Sequence, residues 1–578
     1  MRIFKLEKLI NPKLSLVRIL TFLGLFVFVI NLQNVLRNYF AIYGTNDDYL
    51  INSFLNGKYS GTNDYHLTFI NEIAGRVLAE LYKLFPNVPI YGIFMVSILV
   101  ISLVGPIIFQ IKQNNNFSII LIISWLISSI LITNWFVLNP TYTSASMMIS
   151  SFGYLIVFIL INNKFSKRTY YFAVVLLFMG YLLRVDGFQS SSLIWMPLIL
   201  ASVGYQTFYK KINYKIFINA STVLASFIPI VIVTFVNLNI DNEWKDFYEF
   251  NKKRGSIETT TRIISLEANK TTLDIEDDLL TGLQNFTIID QANLNNEVLD
   301  ELMVKSNSSQ WVSGLINPAV DVKLRIQGLY KYGGLVTLML LLPLAASLVN
   351  TRNRIFFFHF GLISSLILFS FYFLLSTAKI EERVIIPLAL NMWFFAFAFF
   401  GGKQMKSGSK SLILYVIFTM AFLSIFSKHI HDPTYFKERS KWNKGAIDFS
   451  KQQRAALFEI GDNPIFVGPI TSIRLNWASP YEVIQDKDPH FISFGWHNFS
   501  PTWDEKNKRL FNNDKTIFEN LINNKQTYFV SDPEIAESFF SSNYWPTGLE
   551  FSPKLVSSIG SVDNDYGGIY NVYSLNSK

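Results

Sequence analysis

The chain of 578 residues contains no cysteine. This excludes disulfides, thiolate zinc sites and cysteine nucleophiles together, and it is compatible with an oxidising exterior. Charge is also scarce: 16% of the residues are Asp, Glu, Lys or Arg, against about 25% in an average soluble domain. No P-loop, Rossmann glycine fingerprint or HExxH motif occurs, so the commonest nucleotide and zinc-protease chemistries have no foothold. There is no internal repeat, and no low-complexity tract beyond the short polar linker Gln113-Asn114-Asn115-Asn116. The abundance of Ile, Asn, Lys and Phe fits an AT-rich bacterial genome.

What fills the chain instead is apolar and aromatic. Half of the residues are hydrophobic (50%), and 53 are Phe and 27 Tyr, a load suited to lipid-facing and interfacial helix surfaces. Lys and Arg outnumber Asp and Glu by 50 to 42. The excess lies in short loops between apolar runs, which is a topology signal and not a nucleic-acid face.

A basic start, Arg2 to Arg18, precedes an apolar run from Ile19 to Leu36. The run exceeds the ~7–15 residues of a signal-peptide core and no A-x-A site follows, so it reads as an uncleaved first span with its basic end in the cytoplasm. Further runs lie at 90–110, 117–138, 142–161, 170–184, 189–206, 216–237, 332–350, 355–376, 385–401 and 411–427, each near the ~20 residues that cross a bilayer. Counted from a cytoplasmic N-terminus, every alternate loop is basic: Lys112; Lys164, Lys167 and Arg168; Lys210, Lys211 and Lys215; Arg352 and Arg354; Lys403, Lys406 and Lys410. The positive-inside rule then gives about eleven helices with the C-terminus outside. The expected fold is an α-helical polytopic membrane domain, residues 1–427, with outer loops at 37–89 and 238–331. An extracytoplasmic α/β domain follows, residues 428–578. Within it Pro464–Val467 and Thr527–Val530 read as buried strands, and Ser531-Asp532-Pro533-Glu534 as a helix start.

The first outer loop carries the candidate chemistry. Gly44-Thr45-Asn46-Asp47-Asp48-Tyr49 follows the first span. Leu67, Ile70, Ala74, Val77, Leu78, Leu81 and Phe85 then recur at helical spacing, predicting an amphipathic helix lying in the interface until Pro86 and Pro89. A bare pair of aspartates is usually two solvated carboxylates. This pair lies at a span end, at headgroup depth, with cations in the other outer turns, which makes it a functional-site candidate. Asp277-Asp278, the same dipeptide in the middle of the 238–331 loop, has no such setting. That loop is too long for a passive connection and predicts short helices packed over the outer face.

Candidate cations are Arg184, in Arg184-Val185-Asp186-Gly187, and the turn Lys379-Ile380-Glu381-Glu382-Arg383. Arg383 abuts the next span, and its guanidinium matches phosphate geometry better than the amine of Lys379 does. The plain alternatives are a snorkelling helix-end anchor paired with Asp186 and a solvated turn. His66 is close to the aspartates in sequence and could contact substrate. His359 falls inside a span as an interhelical hydrogen-bonding group, and His429-Ile430-His431-Asp432 reads as surface.

This arrangement resembles the GT-C superfamily, integral membrane glycosyltransferases that use polyprenyl-phosphate-linked sugars. Asn46-Asp47-Asp48-Tyr49 matches the family's acidic motif in the first outer loop, and residues 66–85 its interfacial helix. The WWD-type motif of oligosaccharyltransferase catalytic subunits is absent from the tail, which argues against en bloc transfer to asparagine. The resemblance implies transfer of one sugar, with inversion, to an acceptor outside the cytoplasmic membrane, such as a cell-envelope polysaccharide. Asp47 would be the general base. Asp48 would orient it, bind the acceptor, or join Asp47 in holding a divalent metal (Mg or Mn). A cation would meet the charge growing on the lipid phosphate. Rival classes are a polysaccharide polymerase or ligase using Arg254 and Arg262, a transporter or glycolipid flippase, which should carry ionisable residues within spans and repeat symmetry, and a membrane-anchored binding protein.

Overall fold

The structure, a computed structural model, describes residues 12–113, 119–162, 167–209, 242–258, parts of 263–307 and 383–394, 435–469, 477–483, 490–512, 515–542, 545, 550–559 and 569–577. The N-terminal part is helical: α1 (Pro12–Asn38), α2 (Asn46–Leu55), α3 (Glu72–Leu84), α4 (Ile90–Gln113), α5 (Ile119–Leu138), α6 (Tyr142–Asn162), α7 (Lys167–Leu183) and α8 (Val185–Tyr209). Among the described residues, three helices are long and apolar enough to cross a membrane: Ile19–Asn38, Ile90–Phe109 and Tyr142–Ile161. The runs expected at 216–237, 332–350, 355–376 and 411–427 lie outside the described residues. That at 385–401 is described only in part, as helix.

Helix α6 is the axis of this bundle. Its apolar window is buried throughout, whereas the window in α1 is mostly uncovered. A helix apolar all round belongs at the centre, with α4, α7 and α8 packed on it. Small side chains allow the close approach: Ser146 Oγ donates to the carbonyls of Gly180 (2.7 Å) and Arg184 (2.9 Å), and Ser151 meets Ser191 at 3.1 Å. Helix α1 packs on α5 and leaves Phe22, Phe26, Val29 and Ile30 exposed.

In the segment between α1 and α4 the aspartate pair opens a helix, α2, whose N-cap is Thr45. One expectation is corrected there. The amphipathic helix begins at Glu72 and not at 67, because Asn71 caps it by accepting from Ile73 N. Its buried face is Gly75, Leu78, Ala79 and Tyr82, rotated from the predicted face. Val77, Leu84 and Phe85 point outward. Leu67 and Ile70 are buried in the extended approach to the helix.

Residues of the 238–331 stretch form α9 (Asn242–Glu258), α10 (Asp277–Asn285) and α11 (Asn296–Asn307), the short helices that its length predicts. They bury a small core of their own around Ile257, Leu266, Leu283 and Leu299, against which Phe499 packs. Asp277 and Asp278 serve the first turn of α10, where acids suit the helix dipole.

The C-terminal part starts with α12 (Tyr435–Phe458) and builds a five-stranded sheet. Its strands are β1 (Ile465–Pro469), β2 (His490–Phe494), β3 (Thr527–Ser531), β4 (Phe551–Ile559) and β5 (Tyr570–Ser577), in the order β2-β1-β3-β5-β4. Strand β1 runs parallel to β2 and β3, and β5 antiparallel to β3 and β4. Buried on both sides, β1 reads as a continuous apolar run, as parallel strands do. Helices α13 (Pro501–Phe511), α14 (Ile517–Asn523) and α15 (Pro533–Ser541) cover the sheet. Proline at the start of α15, after Asp532, confirms the helix start read from the sequence.

Candidate functional site: two carboxylates at the head of α6

The residues before Asp47 run alongside the turn from α5 to α6. Ile42 N donates to Leu138 O and Gly44 N to Pro140 O, each at 3.2 Å. A Cβ on Gly44 would overlap Thr141 Cγ2 and the Pro140 carbonyl, so only glycine lets the segment lie this close. Helix α12 also holds the segment: Phe40 N donates to Ser440 Oγ (2.8 Å), and Asn443 Nδ2 to Phe40 O (2.8 Å).

Asp48 is wholly buried. Its Oδ1 accepts from the Tyr91 hydroxyl (2.6 Å) and from Tyr142 N (3.1 Å), and its Oδ2 accepts from Thr45 Oγ1 (2.6 Å). Tyr142 is the first residue of α6, so the carboxylate of Asp48 occupies a helix N-terminus, where unpaired N–H groups and the dipole favour an anion. Burial pushes the Asp48 pKa above the ordinary carboxylate value. The hydrogen bonds from Thr45, Tyr91 and the Tyr142 amide, and the charge of Arg383, pull against that rise. A chain of buried partners extends the network: Tyr82 OH donates to Asn52 Oδ1 (2.5 Å), Asn52 Nδ2 donates to Tyr43 OH, and Tyr91 N donates to Tyr82 OH (2.9 Å).

Asp47 is half-buried, and it acts electrostatically on Arg184 and Tyr142. Arg184 Nη1 donates to Tyr142 OH (2.5 Å) and Thr143 Oγ1 (3.2 Å), and Nη2 to Asp186 Oδ2 (3.3 Å). The guanidinium lies 5.3 Å from the Phe69 ring and 5.0 Å from that of Tyr142. Burial opposes its charge, but Tyr142, Asp186 and Asp47 outweigh burial. Asp186, with a side chain 76% exposed, is a screened partner. Arg383 comes in from 239 positions beyond Ser144. Ser144 Oγ donates to its carbonyl (2.8 Å), and its charge is felt by Asp48 and Tyr142.

The first turn of α6, Tyr142-Thr143-Ser144, thus gathers both aspartates, Arg184 and Arg383. Lys379 lies outside the described residues. His66 is held elsewhere. Its Nδ1 meets Asp64 Oδ1 at 2.9 Å, and its ring stacks on Trp244 (4.4 Å between centroids, 12° between planes). Asp64 also accepts from Thr502. Burial alone would raise the Asp64 pKa, but His66 and Thr502 outweigh it and hold that carboxyl below its ordinary value. His66 is therefore part of a seam joining the first segment, α9 and α13. Tyr142, Tyr91 and Thr45 are the site residues that sequence reasoning missed. The available signal was the gathering of Tyr43, Tyr49, Tyr82, Tyr91 and Tyr142 in or beside the outer segments on one side of the expected bilayer.

For a divalent cation the donor set fits poorly. Asp48 already receives three hydrogen bonds, and among the described residues no three of His, Cys, Asp or Glu converge. The polymerase reading needs an accessible Arg254. That residue is buried, bound to Asn251 Oδ1 (2.7 Å) and Trp496 O (2.6 Å), among the rings of Phe250, Phe286 and Trp496. Arg262 lies outside the described residues. A cavity of about 580 Å³ opens between α9, the start of α11 and α13, lined by Glu243, Asp246, Phe247, Phe250, Asp504 and Glu505 among others. Side chains connect it to the site: Tyr142 stacks on Phe69, Phe69 meets Trp496 edge-on, the Arg254 guanidinium lies against both Trp496 and Phe250, and Phe250 meets Phe499, which also lines the cavity.

No family model matches the chain, and no curated protein matches it. Among solved structures, the crystal structure of ArnT from Cupriavidus metallidurans in the apo state aligns with 96% of this chain and 98% of its own. The sequence identity is 12% and the TM-score 0.37, a likeness too loose to establish a common fold.

Proposed function

We propose that the chain is a polytopic membrane glycosyltransferase. It takes a sugar from a polyprenyl-phosphate carrier and transfers it, with inversion, to an acceptor outside the cytoplasmic membrane, such as a cell-envelope polysaccharide. The observation that carries the reading is the division of labour in Asp47-Asp48: one carboxylate is locked inside as the anion of a helix N-terminus, while its neighbour stays half-exposed beside a guanidinium. The resemblance to GT-C transferases in Asn46-Asp47-Asp48-Tyr49 supports it from the sequence.

In this reading Asp47 accepts the proton of the acceptor hydroxyl as that oxygen bonds to the anomeric carbon. The bond from the anomeric carbon to the phosphate oxygen breaks, and its electron pair leaves with the lipid phosphate. Arg184 and Arg383 meet that growing charge. Direct displacement inverts the anomeric centre. Residues 1–427 form the membrane part, with the N-terminus in the cytoplasm, and residues 428–578 the outer domain. The apolar spans shelter the prenyl chain. We assign the non-reacting part of the acceptor to the cavity between α9 and α13, whose mixed aromatic and polar lining suits a saccharide.

The test is an envelope-glycan composition of a deletion strain, complemented with wild type, Asp47→Asn or Asp48→Asn at matched expression. One sugar substituent should vanish on deletion, return with wild type and stay absent with a folded Asp47→Asn protein. Full restoration by both variants would leave the aspartates as solvated or structural groups, and transport or binding would become the better account.

A further inference from the structure

The Asp47 site contains one group to which the transfer chemistry gives no work: the hydroxyl of Tyr142. The residue is completely buried, which normally fixes a phenol to a structural partner. Here the partner is Arg184, at 2.5 Å, the shortest of the three bonds that this guanidinium makes.

We propose that Tyr142 is a positioning residue of the transferase site, one that aims Arg184 without neutralising it. The inference rests on the glycosyltransferase reading above. Three observations support it. The backbone and the side chain of one residue serve both halves of the site: Tyr142 N holds Asp48, and Tyr142 OH holds Arg184. Its ring is fixed by Phe69, stacked at 5.9 Å and 13°. Phe69 in turn is anchored through Asn71 N, which donates to Leu182 O (2.8 Å) two residues before Arg184. The third is chemical. A carboxylate placed at this distance would orient the guanidinium but spend its charge in an ion pair. A phenol is a neutral acceptor, so the cation keeps its full charge for a leaving phosphate. Its hydrogen bond to a carboxylate goes to the exposed Asp186, at 3.3 Å, where solvent screens the attraction, and Asp47 adds to the charge balance through space.

A group that acts through the orientation of a cation affects the transition state more than the bound ground state. Tyr142→Phe should therefore lower kcat while leaving the donor KM nearly unchanged. It should do nothing further once Arg184 is gone.

The experiment uses the full chain, purified in detergent. The deletion strain supplies both substrates: its accumulated lipid-linked donor, extracted with organic solvent, and its unmodified envelope glycan. Wild type, Tyr142→Phe, Arg184→Ala, the double variant and Asp47→Asn are compared in kcat, donor KM and melting midpoint. The expected result is a fall in kcat of about tenfold to a hundredfold for Tyr142→Phe, a donor KM within about twofold, and a double variant no slower than Arg184→Ala alone. Phenylglyoxal labelling of Arg184, read by mass spectrometry, should be faster in Tyr142→Phe than in wild type at equal melting midpoints. If Tyr142→Phe melts early, Tyr142→His, which restores a neutral ring acceptor, should recover part of the lost kcat; no recovery overturns the proposal. Additive losses in the double variant, a change in KM alone, or wild-type kcat overturn it as well. Inactive Asp47→Asn with additive Tyr142 and Arg184 effects removes this inference and leaves the transferase reading standing. Active Asp47→Asn with coupled Tyr142 and Arg184 removes the base assignment and leaves the positioning. Wild type that transfers nothing removes both.

Discussion

Asp47 and Asp48 are adjacent in sequence, yet the physics of their surroundings sets them opposite tasks. Asp48 is buried with three donors. Asp48→Asn replaces one acceptor oxygen with a donor that must face donors already in place. A loss of about 1–3 kcal/mol is expected, the usual cost of leaving buried polar groups unpaired, and it should appear as a lower melting midpoint. Asp47→Asn should melt within about 2 °C of wild type, since the isosteric amide keeps the packing of this half-buried side chain, while on the transferase reading transfer falls by two orders of magnitude or more, as befits loss of a general base. If the two variants behave alike in stability and activity, this division is wrong.

A second titrating residue belongs to the same scale. His497 is buried, with Nε2 3.0 Å from Ser493 Oγ. Burial, then the charges of Lys506 and Arg254, push its pKa down to about 3. The unfolded imidazole takes a proton near pH 6.5 and the folded one does not, so the unfolded state binds more protons throughout this window. Stability is fully present above about pH 6.5 and falls as the pH drops from there toward 3, by up to about 1.4 kcal/mol per pH unit. Melting midpoints at pH 7.5, 6 and 5 should decline more steeply for wild type than for His497→Asn. Parallel slopes would show that His497 does not set this dependence.

At the scale of elements, α3 shows what amphipathic spacing can and cannot tell. The apolar residues do recur at helical intervals, but the side that faces the protein is chosen by Gly75, which admits the Tyr65 carbonyl, and by Tyr82, which reaches Asn52. Val77, Leu84 and Phe85 are left outside beside Arg76, Glu80 and Lys83, the composition of a helix half-sunk in headgroups. Because the chain has no cysteine of its own, single cysteines report cleanly. Val77→Cys and Leu84→Cys in membranes should react slowly with a water-soluble maleimide, and Glu80→Cys quickly. Equal rates would take α3 out of the interface.

The same element explains how much could be read beforehand. Strands β1 and β3 were legible because Ile465-Phe466-Val467 and Tyr528-Phe529-Val530 are apolar without interruption. Strands β4 and β5 were not, because β4 is exposed along most of its length, contains Pro553, and groups Leu555-Val556 and Ser557-Ser558 in pairs instead of alternating apolar with polar residues. Asp47 and Asp48 stood out through their place after a long apolar run. The Tyr142 phenol did not, since an aromatic residue at the head of a span is an ordinary interfacial anchor, and its bond to Arg184 spans 42 positions. A still longer separation in sequence hid the real environment of His66, whose stacking partner is Trp244.

At the scale of the whole molecule, the site is made by early residues and secured by late ones. Ser440 and Asn443 hold the segment that leads to Thr45, Tyr481 OH donates to Val137 O (3.0 Å), and Arg509 Nη2 donates to Tyr59 O (3.3 Å). These contacts join positions more than 300 apart. Expression of residues 1–430 should therefore give a membrane-inserted chain in which the 37–89 segment is cut by added protease far faster than in the full protein. Equal protection in both would show that the early segment holds its form unaided.

That dependence on the C-terminal part has a bearing on how the protein is born. A ribosome delivers Asp47 long before it delivers Ser440. For most of its synthesis the nascent chain therefore carries Asp47 on a segment that nothing yet clamps. Only when the last quarter of the polypeptide has emerged and folded can the geometry around the two aspartates close. On the transferase reading proposed above, a chain stalled or trimmed during export would be inert, and a half-made copy would not consume lipid-linked sugar.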